Sequence, residues 1–372
     1  MRRSLLILLA TAACADLSSP VPDPTPPGSL RVEVSGHLER GSTIVVTVFD
    51  DQEVVLPPSQ VTWTSMPEGA IQQLSESQLR LLRDGGVTLQ AAIADADGAL
   101  AIQVATPPTI VFERRVNGNV DIYRVALDGG DLLRLTTDLG QDENPTAANG
   151  TVVFTTTRHG NAELYAMPLA GGSEERLTTT SRNETDGALS PNGARLAFVN
   201  DATGVSKLWT SQANGSAAAR VTTSFGFAGS VEVSPSWSPT ADRVVFASTN
   251  AGSADLVILD LATGDVTPLA PSAAADVGPA WSFDGESVAF FFFNDTATTE
   301  IYTVLVRSGV VTRLTTRGGI DGHPAWLRDG RLVYAAWIEN VPRLRWMDPA
   351  NPADVHDIDT GEGEARHPYS AQ

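Results

Sequence analysis

One cysteine, Cys14, stands in 372 residues. A lone cysteine excludes an internal disulfide and any cysteine-based metal site. Basic residues are scarce too: 25 Lys and Arg against 44 Asp and Glu leave a formal net charge of −19. That sign repels phosphate backbones, and no local basic stripe offsets it, so nucleic acid is excluded as a partner. The apolar run Leu5 to Ala10 is too short to cross a bilayer. G-x-S-x-G, P-loop, H-E-x-x-H and G-x-G-x-x-G motifs are missing, and no enzyme activity is expected from motifs. Five histidines, His37, His159, His323, His356 and His367, are scattered without ligand spacing and read as surface or turn residues.

At the N-terminus, Arg2 and Arg3 precede the short apolar run, and Thr11-Ala12-Ala13 leads to Cys14. Basic, apolar and small-residue regions in that order form a secretory signal over residues 1–13. Small residues before a lone Cys resemble the bacterial lipobox, although Thr11 departs from the usual Leu. The resemblance implies lipidation of Cys14, hence a membrane anchor in the cell envelope. Residues 14–29 follow as a tether, whose DLSSPVPDPTPPG stretch favours an extended chain.

Period-two alternation then sets in over residues 30–106: Leu30, Val32 and Val34 alternate with Arg31 and Glu33, and Thr43 to Phe49 is a β-branched run. Asp97-Gly98 predicts a tight hairpin between the last two strands. Short strands broken by turns predict a β-sandwich. The order RGSTIVVTVFD, VTWTS, LLRDGGVTLQAAI resembles the bacterial Ig-like group 2 family, with Trp63 as its core tryptophan. Asp95 and Asp97 lack EF-hand spacing and read as turn residues.

Pro107-Pro108 marks a boundary, and residues 107–372 repeat. Aromatic anchors recur at Phe112, Phe154, Phe198, Phe246, Phe290 and Tyr334, with separations of 42, 44, 48, 44 and 44 residues. A second anchor follows most of them at Tyr123, Tyr165, Trp209, Val257 and Tyr302. Then comes an Arg with an apolar-Thr pair, as in Arg134-Leu135-Thr136 and Arg176-Leu177-Thr178, and a Pro/Trp segment such as Pro235-Ser236-Trp237. Each unit holds about four short strands and cannot bury both faces of its own sheet, so neighbours must stack. Radial stacking predicts a six-bladed β-propeller of four-stranded blades. The first unit lacks its own Pro/Trp strand, and His367-Pro368-Tyr369-Ser370 supplies the missing piece, so the C-terminal strand closes the ring. The expected fold is all-β, an Ig-like sandwich followed by this propeller.

The segments PSWSPTADRVVFAS, PAWSFDGESVAF and AELYAMPLAGGSEERLTT resemble the repeat of the TolB-type propellers. That resemblance implies a monomeric, non-catalytic scaffold that binds an envelope protein or peptide on the periplasmic or cell-surface side. The alternative is a polysaccharide-binding protein, or a lyase or hydrolase, using the channel mouth. One constellation repeats with the blades: Asp142, Glu232, Asp276 and Asp321 each stand three residues before a Pro, and Asp186 is aligned with them. Two roles stay open for these five. They either cap loop N–H groups, or ring the channel rim as a funnel for a basic partner or a cation such as calcium. No other cofactor is implied.

The run FFFF at 290–293, followed by NDTATTEIYT, stands apart. Phe290 is in register as the fifth anchor, whereas Phe291 to Phe293 replace the polar turn chemistry of the other units and would expose apolar area. Three readings stand: a partner-binding patch, tolerated drift, or an artefact, the last favoured because NDTATTEIYT resembles the conceptual translation of a sequencing-library adapter, with the Phe codons as a thymine homopolymer before it.

Overall fold

The computed structural model describes residues 8–10, 29–93, 96–223, 225–226, 229–250, 252–269, 275–293 and 298–371. Cys14, the tether apart from Ser29 and most of the signal region lie outside these residues, as do Asp95 and residues 294–297. Two compact units divide the chain, Met1–Pro107 and Pro108–Gln372, and no helix is long and apolar enough to cross a membrane among the described residues.

The first unit contains β1 (Leu8–Ala10), β2 (Arg31–Ser35), β3 (Thr43–Phe49), β4 (Thr62–Met66), β5 (Ile71–Gln73), β6 (Gln78–Leu81), β7 (Gly85–Ile93) and β8 (Ala96–Val104). They form two four-stranded sheets, ordered β1-β8-β7-β4 and β2-β3-β6-β5. In β3 the alternation is literal: Ile44, Val46 and Val48 are buried while Thr43 and Val45 are exposed. Both sheets contribute to one core, in which Ile44, Leu79, Trp63 and Leu89 meet. The hairpin differs from expectation. Asp97 and Gly98 pair with Ala92 and Ala91 inside β8, so the β7–β8 turn falls before them. Gly98 is small for another reason: a Cβ there would sit 2.3 Å from the Leu30 carbonyl oxygen.

The second unit opens with β9 (Thr109–Val116), β10 (Asn119–Ala126) and β11 (Leu133–Arg134). A second sheet follows with β12 (Asp142–Ala148), β13 (Thr151–Thr156), β14 (Glu163–Pro168) and β15 (Glu175–Arg176), then a third with β16 (Glu184–Leu189), β17 (Arg195–Asn200), β18 (Lys207–Gln212) and β19 (Ala219–Arg220). The fourth holds β20 (Glu232–Trp237), β21 (Arg243–Ser248), β22 (Asp255–Asp260) and β23 (Val266–Pro268), and the fifth β24 (Ala275–Trp281), β25 (Ser287–Phe293), β26 (Thr299–Leu305) and β27 (Val311–Arg313). The sixth has β28 (Asp321–Trp326), β29 (Leu332–Ile338), β30 (Val341–Asp348) and β31 (Asn351–Asp357), and β32 (Glu364–Ser370) ends the unit. Sheets two to six run antiparallel in chain order, whereas the first is ordered β11-β10-β9-β32, taking its innermost strand from the C-terminal segment.

The apolar doublets explain why these sheets stack. Successive strand residues point to opposite faces, so Phe112 joins a core shared with the sixth sheet while Val111 joins one shared with the second. Likewise Phe154 packs toward the first sheet and Val153 toward the third. Each neighbouring pair, the sixth and first included, shares such a cluster. The innermost strands pack in the order β12, β16, β20, β24, β28, β32, and β32 packs back on β12. With roughly 1.5–3 kcal/mol from each buried large side chain, the anchors are the main reason a sheet with two apolar faces is stable only between neighbours.

In the fifth sheet Phe290 pairs with Tyr302, as Phe112 pairs with Tyr123. Phe291 is 7% exposed and packs among Ala289, Ile301 and Tyr334, and Phe292 leans on Tyr302. The apolar area expected at this shoulder is therefore buried for Phe291, because β25 continues as strand where a turn was expected.

Candidate functional site

Asp142, Glu184, Glu232 and Asp321 open the innermost strands of sheets two, three, four and six, and Asp276 is the second residue of β24 in the fifth; all five are 0–1% exposed. The alignment of Asp186 needs correction. Glu184 pairs with Asn200 as Asp142 pairs with Thr156 and Glu232 with Ser248, so Glu184 holds that register and Asp186 lies two residues on. A shared rim is also not what the acids form. Asp142 receives Arg158 Nη2 at 3.0 and 3.1 Å, and Asp321 receives Arg317 Nε at 2.9 Å. Glu232 Oε1 lies 3.1 Å from Lys207 Nζ, while its Oε2 accepts Leu208 N at 2.8 Å and Thr222 Oγ1 at 2.6 Å.

The Glu232 bonds latch the fourth sheet to the third, whereas Arg158 lies within the second sheet and Arg317 on the segment leading into the sixth. Asp142, Glu184 and Glu232 each bond the Thr of the preceding Arg-x-Thr segment, Thr136, Thr178 and Thr222. Burial pushes the Asp142 carboxyl up against its hydrogen bonds to Thr156, Arg158 and Thr136, and burial pushes Glu184 up to about 7. The same threonines cap strand N–H groups, since Ile122 N donates to Thr136 Oγ1 and Leu164 N to Thr178 Oγ1, both at 2.9 Å. Arg134 and Arg176 in turn bridge to Asp121 and Glu163 at 2.7 Å. In the third sheet Lys207 occupies the position of Asp121 and Glu163, and Glu232 answers that reversed sign.

Where the innermost strands pack on one another, residues two places beyond the acids come together instead: Asn144, Asp186, Ser234, Gly278, His323 and, on β32, His367. All six have positive φ, between 44° and 59°. Each sits where the first-strand register breaks into a bulge, and Pro follows in five of the six because an interrupted ladder needs no N–H there. Here polar groups converge. Asp186 Oδ1 accepts Asn144 Nδ2 at 3.1 Å and Asp186 Oδ2 accepts Ser234 N at 3.1 Å. Glu113, 6% exposed on β9, accepts Asn144 N at 3.1 Å and lies 2.7 Å from His367 Nδ1. The His323 and His367 rings meet edge to face with centroids 3.7 Å apart.

These two histidines were expected on surfaces or turns, and they lie at the centre. Burial would raise the Glu113 carboxyl, but the His367 charge and hydrogen bond and the Asn144 N–H outweigh it and hold it below the usual range. Burial lowers His323 well below an ordinary imidazole, reinforced by His367 and Arg366. Burial also raises Asp186, opposed by the Ser234 N–H and by His367. Chemically the cluster can hold and relay a proton, and it offers both a carboxylate and an imidazole. Among the described residues no group of three or more His, Cys, Asp or Glu is disposed to hold a metal ion.

At the other end of the first strands, Trp237, Trp281 and Trp326 line a cleft with Pro191, Pro239 and Phe283. Trp237 Nε1 donates to Ala188 O at 2.8 Å and Trp326 Nε1 to Ala280 O at 3.1 Å, each reaching the preceding sheet. Arg195 covers Trp237 at 5.1 Å and Arg243 covers Trp281 at 4.9 Å. With 5–9% exposure the indoles show only edges, so this end is a packing ladder.

A family model described as the TolB beta propeller domain matches residues 106–226 and 228–337. The Protein TolB homolog of Chlorobium chlorochromatii (strain CaD3) is 28% identical over 145 residues, 39% of this chain and 31% of that protein, so the chain matches about a third of its length. TolB from Acinetobacter baumannii superposes with a TM-score of 0.64 and 16% identity, covering 85% of this chain and 86% of that one. A putative TolB from Agrobacterium tumefaciens gives a TM-score of 0.53 at 20% identity, covering 70% and 89%. At these identities the structures speak for the fold.

Proposed function

The chain belongs to the TolB beta propeller domain family, and from that premise we propose that it is a non-catalytic cell-envelope lipoprotein whose propeller is a protein-interaction scaffold. The observation that carries this reading is the family match across most of the second unit. In this reading the six sheets are blades of one ring, clasped where β32 pairs with β9. The first unit, with two sheets over one core, is an Ig-like spacer, and a lipid on Cys14 holds both in the envelope. The partner is an envelope protein or peptide that docks at the channel mouth. Photo-crosslinkers placed at Glu143, beside the axis, test this in the native envelope. A discrete crosslinked partner, lost when Cys14→Ser abolishes palmitate labelling and releases the protein, supports it; an unlabelled protein with no crosslink refutes it.

One observation favours a second reading, a polysaccharide-binding or polysaccharide-cleaving protein. His323, His367 and Glu113 converge at the axis, as acid–base chemistry requires. Turnover of a polysaccharide panel that His367→Asn abolishes would establish it. Binding without turnover would favour the polysaccharide-binding form of this reading, and neither would leave the scaffold.

A further inference from the structure

The axial histidines stand on neighbouring innermost strands at equivalent bulge positions, with rings 3.7 Å apart. Among the described residues one carboxylate serves them directly: Glu113 Oε2, 2.7 Å from His367 Nδ1 and also 3.1 Å from Asn144 N. Across the axis Asp186 is committed to Asn144 Nδ2 and Ser234 N. The rings next to His323 are Phe291, at 4.9 Å, and His367. The other charged groups facing the cluster are Glu143, Arg115 and Arg366.

We propose that His323 and His367 form a one-proton latch, which keeps the axis closed while the pair carries a single proton and opens it when acid adds a second. Glu113 Oε2, 2.7 Å from His367 Nδ1, can balance one positive charge on the pair. A second, on His323, would place two cations edge to edge with ring centroids 3.7 Å apart in a half-buried site, where like charges repel. The bulge gives His323 a way out. Between Gly322 and Ala325 the β28–β29 register is broken, and Pro324 follows, so the segment can swing without breaking ladder bonds. Because Glu113 also receives Asn144 N, a shift of His367 is transmitted to β12 and to the contact that joins the two ends of the second unit. The latch is independent of what the protein binds.

Histidine side-chain NMR on the full chain, from pH 8 to pH 4.5, tests this together with amide exchange. The expected result is proton uptake in two separated steps, with exchange at the Asn144 amide rising about tenfold or more across the second, while the Val153 and Leu196 amides stay protected. His323→Asn should remove the second step and the Asn144 response together. Should His367→Asn fail to fold, Glu113→Gln serves in its place, and it should move the first step to lower pH. Overlapping single-site titrations of both imidazoles, or an Asn144 amide indifferent to the second step, would overturn the latch.

Discussion

Replacing Glu232 by Gln distinguishes a structural latch from a channel ligand. Lys207 is 1% exposed and Glu232 is 0% exposed, with Nζ 3.1 Å from Oε1 and 2.8 Å from Ser230 Oγ. Glu232 Oε2 also holds the Leu208 amide and the Thr222 hydroxyl. Glu232→Gln leaves a buried ammonium without its counter-charge, a loss of about 3–5 kcal/mol for a pair of this kind. At roughly 2–4 °C per kcal/mol for a unit of this size, the melting temperature should fall by about 10 °C. Lys207→Met should cost a comparable amount, whereas the double variant, with no buried charge left, should be far less damaged than the sum of the two. Urea unfolding of wild type, both singles and the double yields the coupling energy, expected above about 2 kcal/mol. A solvated rim carboxylate would instead cost less than about 1 kcal/mol. Single losses that small, or strictly additive ones, would refute the latch.

Thr178→Val removes the hydroxyl that accepts Leu164 N and bonds Glu184, and should cost about 1–3 kcal/mol in denaturant titration. Two groups should shape stability against pH with opposite signs. His323 is depressed in the fold, so the unfolded chain takes up its proton first, and stability should drop below pH 6.5 by up to about 1.4 kcal/mol per unit; His323→Asn should flatten that limb of a melting-temperature profile. Glu184 is raised to about 7, so its contribution is full below the unfolded value and lost as pH rises through 7; Glu184→Gln should raise the melting temperature at pH 8 and barely change it at pH 4. Gly215→Ala meets both a φ of +79° and a Cβ 2.1 Å from the Leu177 oxygen, and thermal melts should show a loss of about 2 kcal/mol or more.

Much of the fold was legible because its causes are local and repeated. Phe112, Phe154 and Phe198 recur where a strand needs an apolar residue on each face, and Arg-x-Thr recurs where one hydroxyl caps an amide. Asp97-Gly98 misled because a turn signature and a steric need for Gly look alike in sequence, and the crossing Leu30 backbone is remote. The acids misled for a related reason. Repetition identified Asp142, Glu232, Asp276 and Asp321 as a set, but not whether each side chain meets water or Arg158, Lys207 and Arg317. Asp186 was drawn into that set because Gly187 replaces the Pro that marks the register elsewhere. The histidines did carry a signal: Gly-His-Pro-Ala-Trp and Arg-His-Pro-Tyr-Ser place His323 and His367 44 residues apart, one repeat length, just before the bulge Pro. Reading histidines by ligand spacing along the chain missed a pair whose spacing is that of the repeat.

The phenylalanine run bears on the same axis. Position 291 corresponds to Glu113, Thr155, Val199, Ala247 and Ala335, each one residue past its anchor. Phe291 is the one bulky ring in that set, and Gly278, the one glycine among the six bulge residues, lies beside it; a Cβ on Gly278 would fall 2.4 Å from the ring. A true Phe291 therefore demands Gly278, since any side chain there would displace it. An adapter-derived Phe291 would owe this fit to chance. The gene's DNA across codons 290–303 separates the two. Adapter sequence in those codons would leave Gly278 facing a smaller residue such as Ala or Thr, and the axis wider on the side of His323. Codons unlike the adapter would make the glycine and the phenylalanine one steric unit.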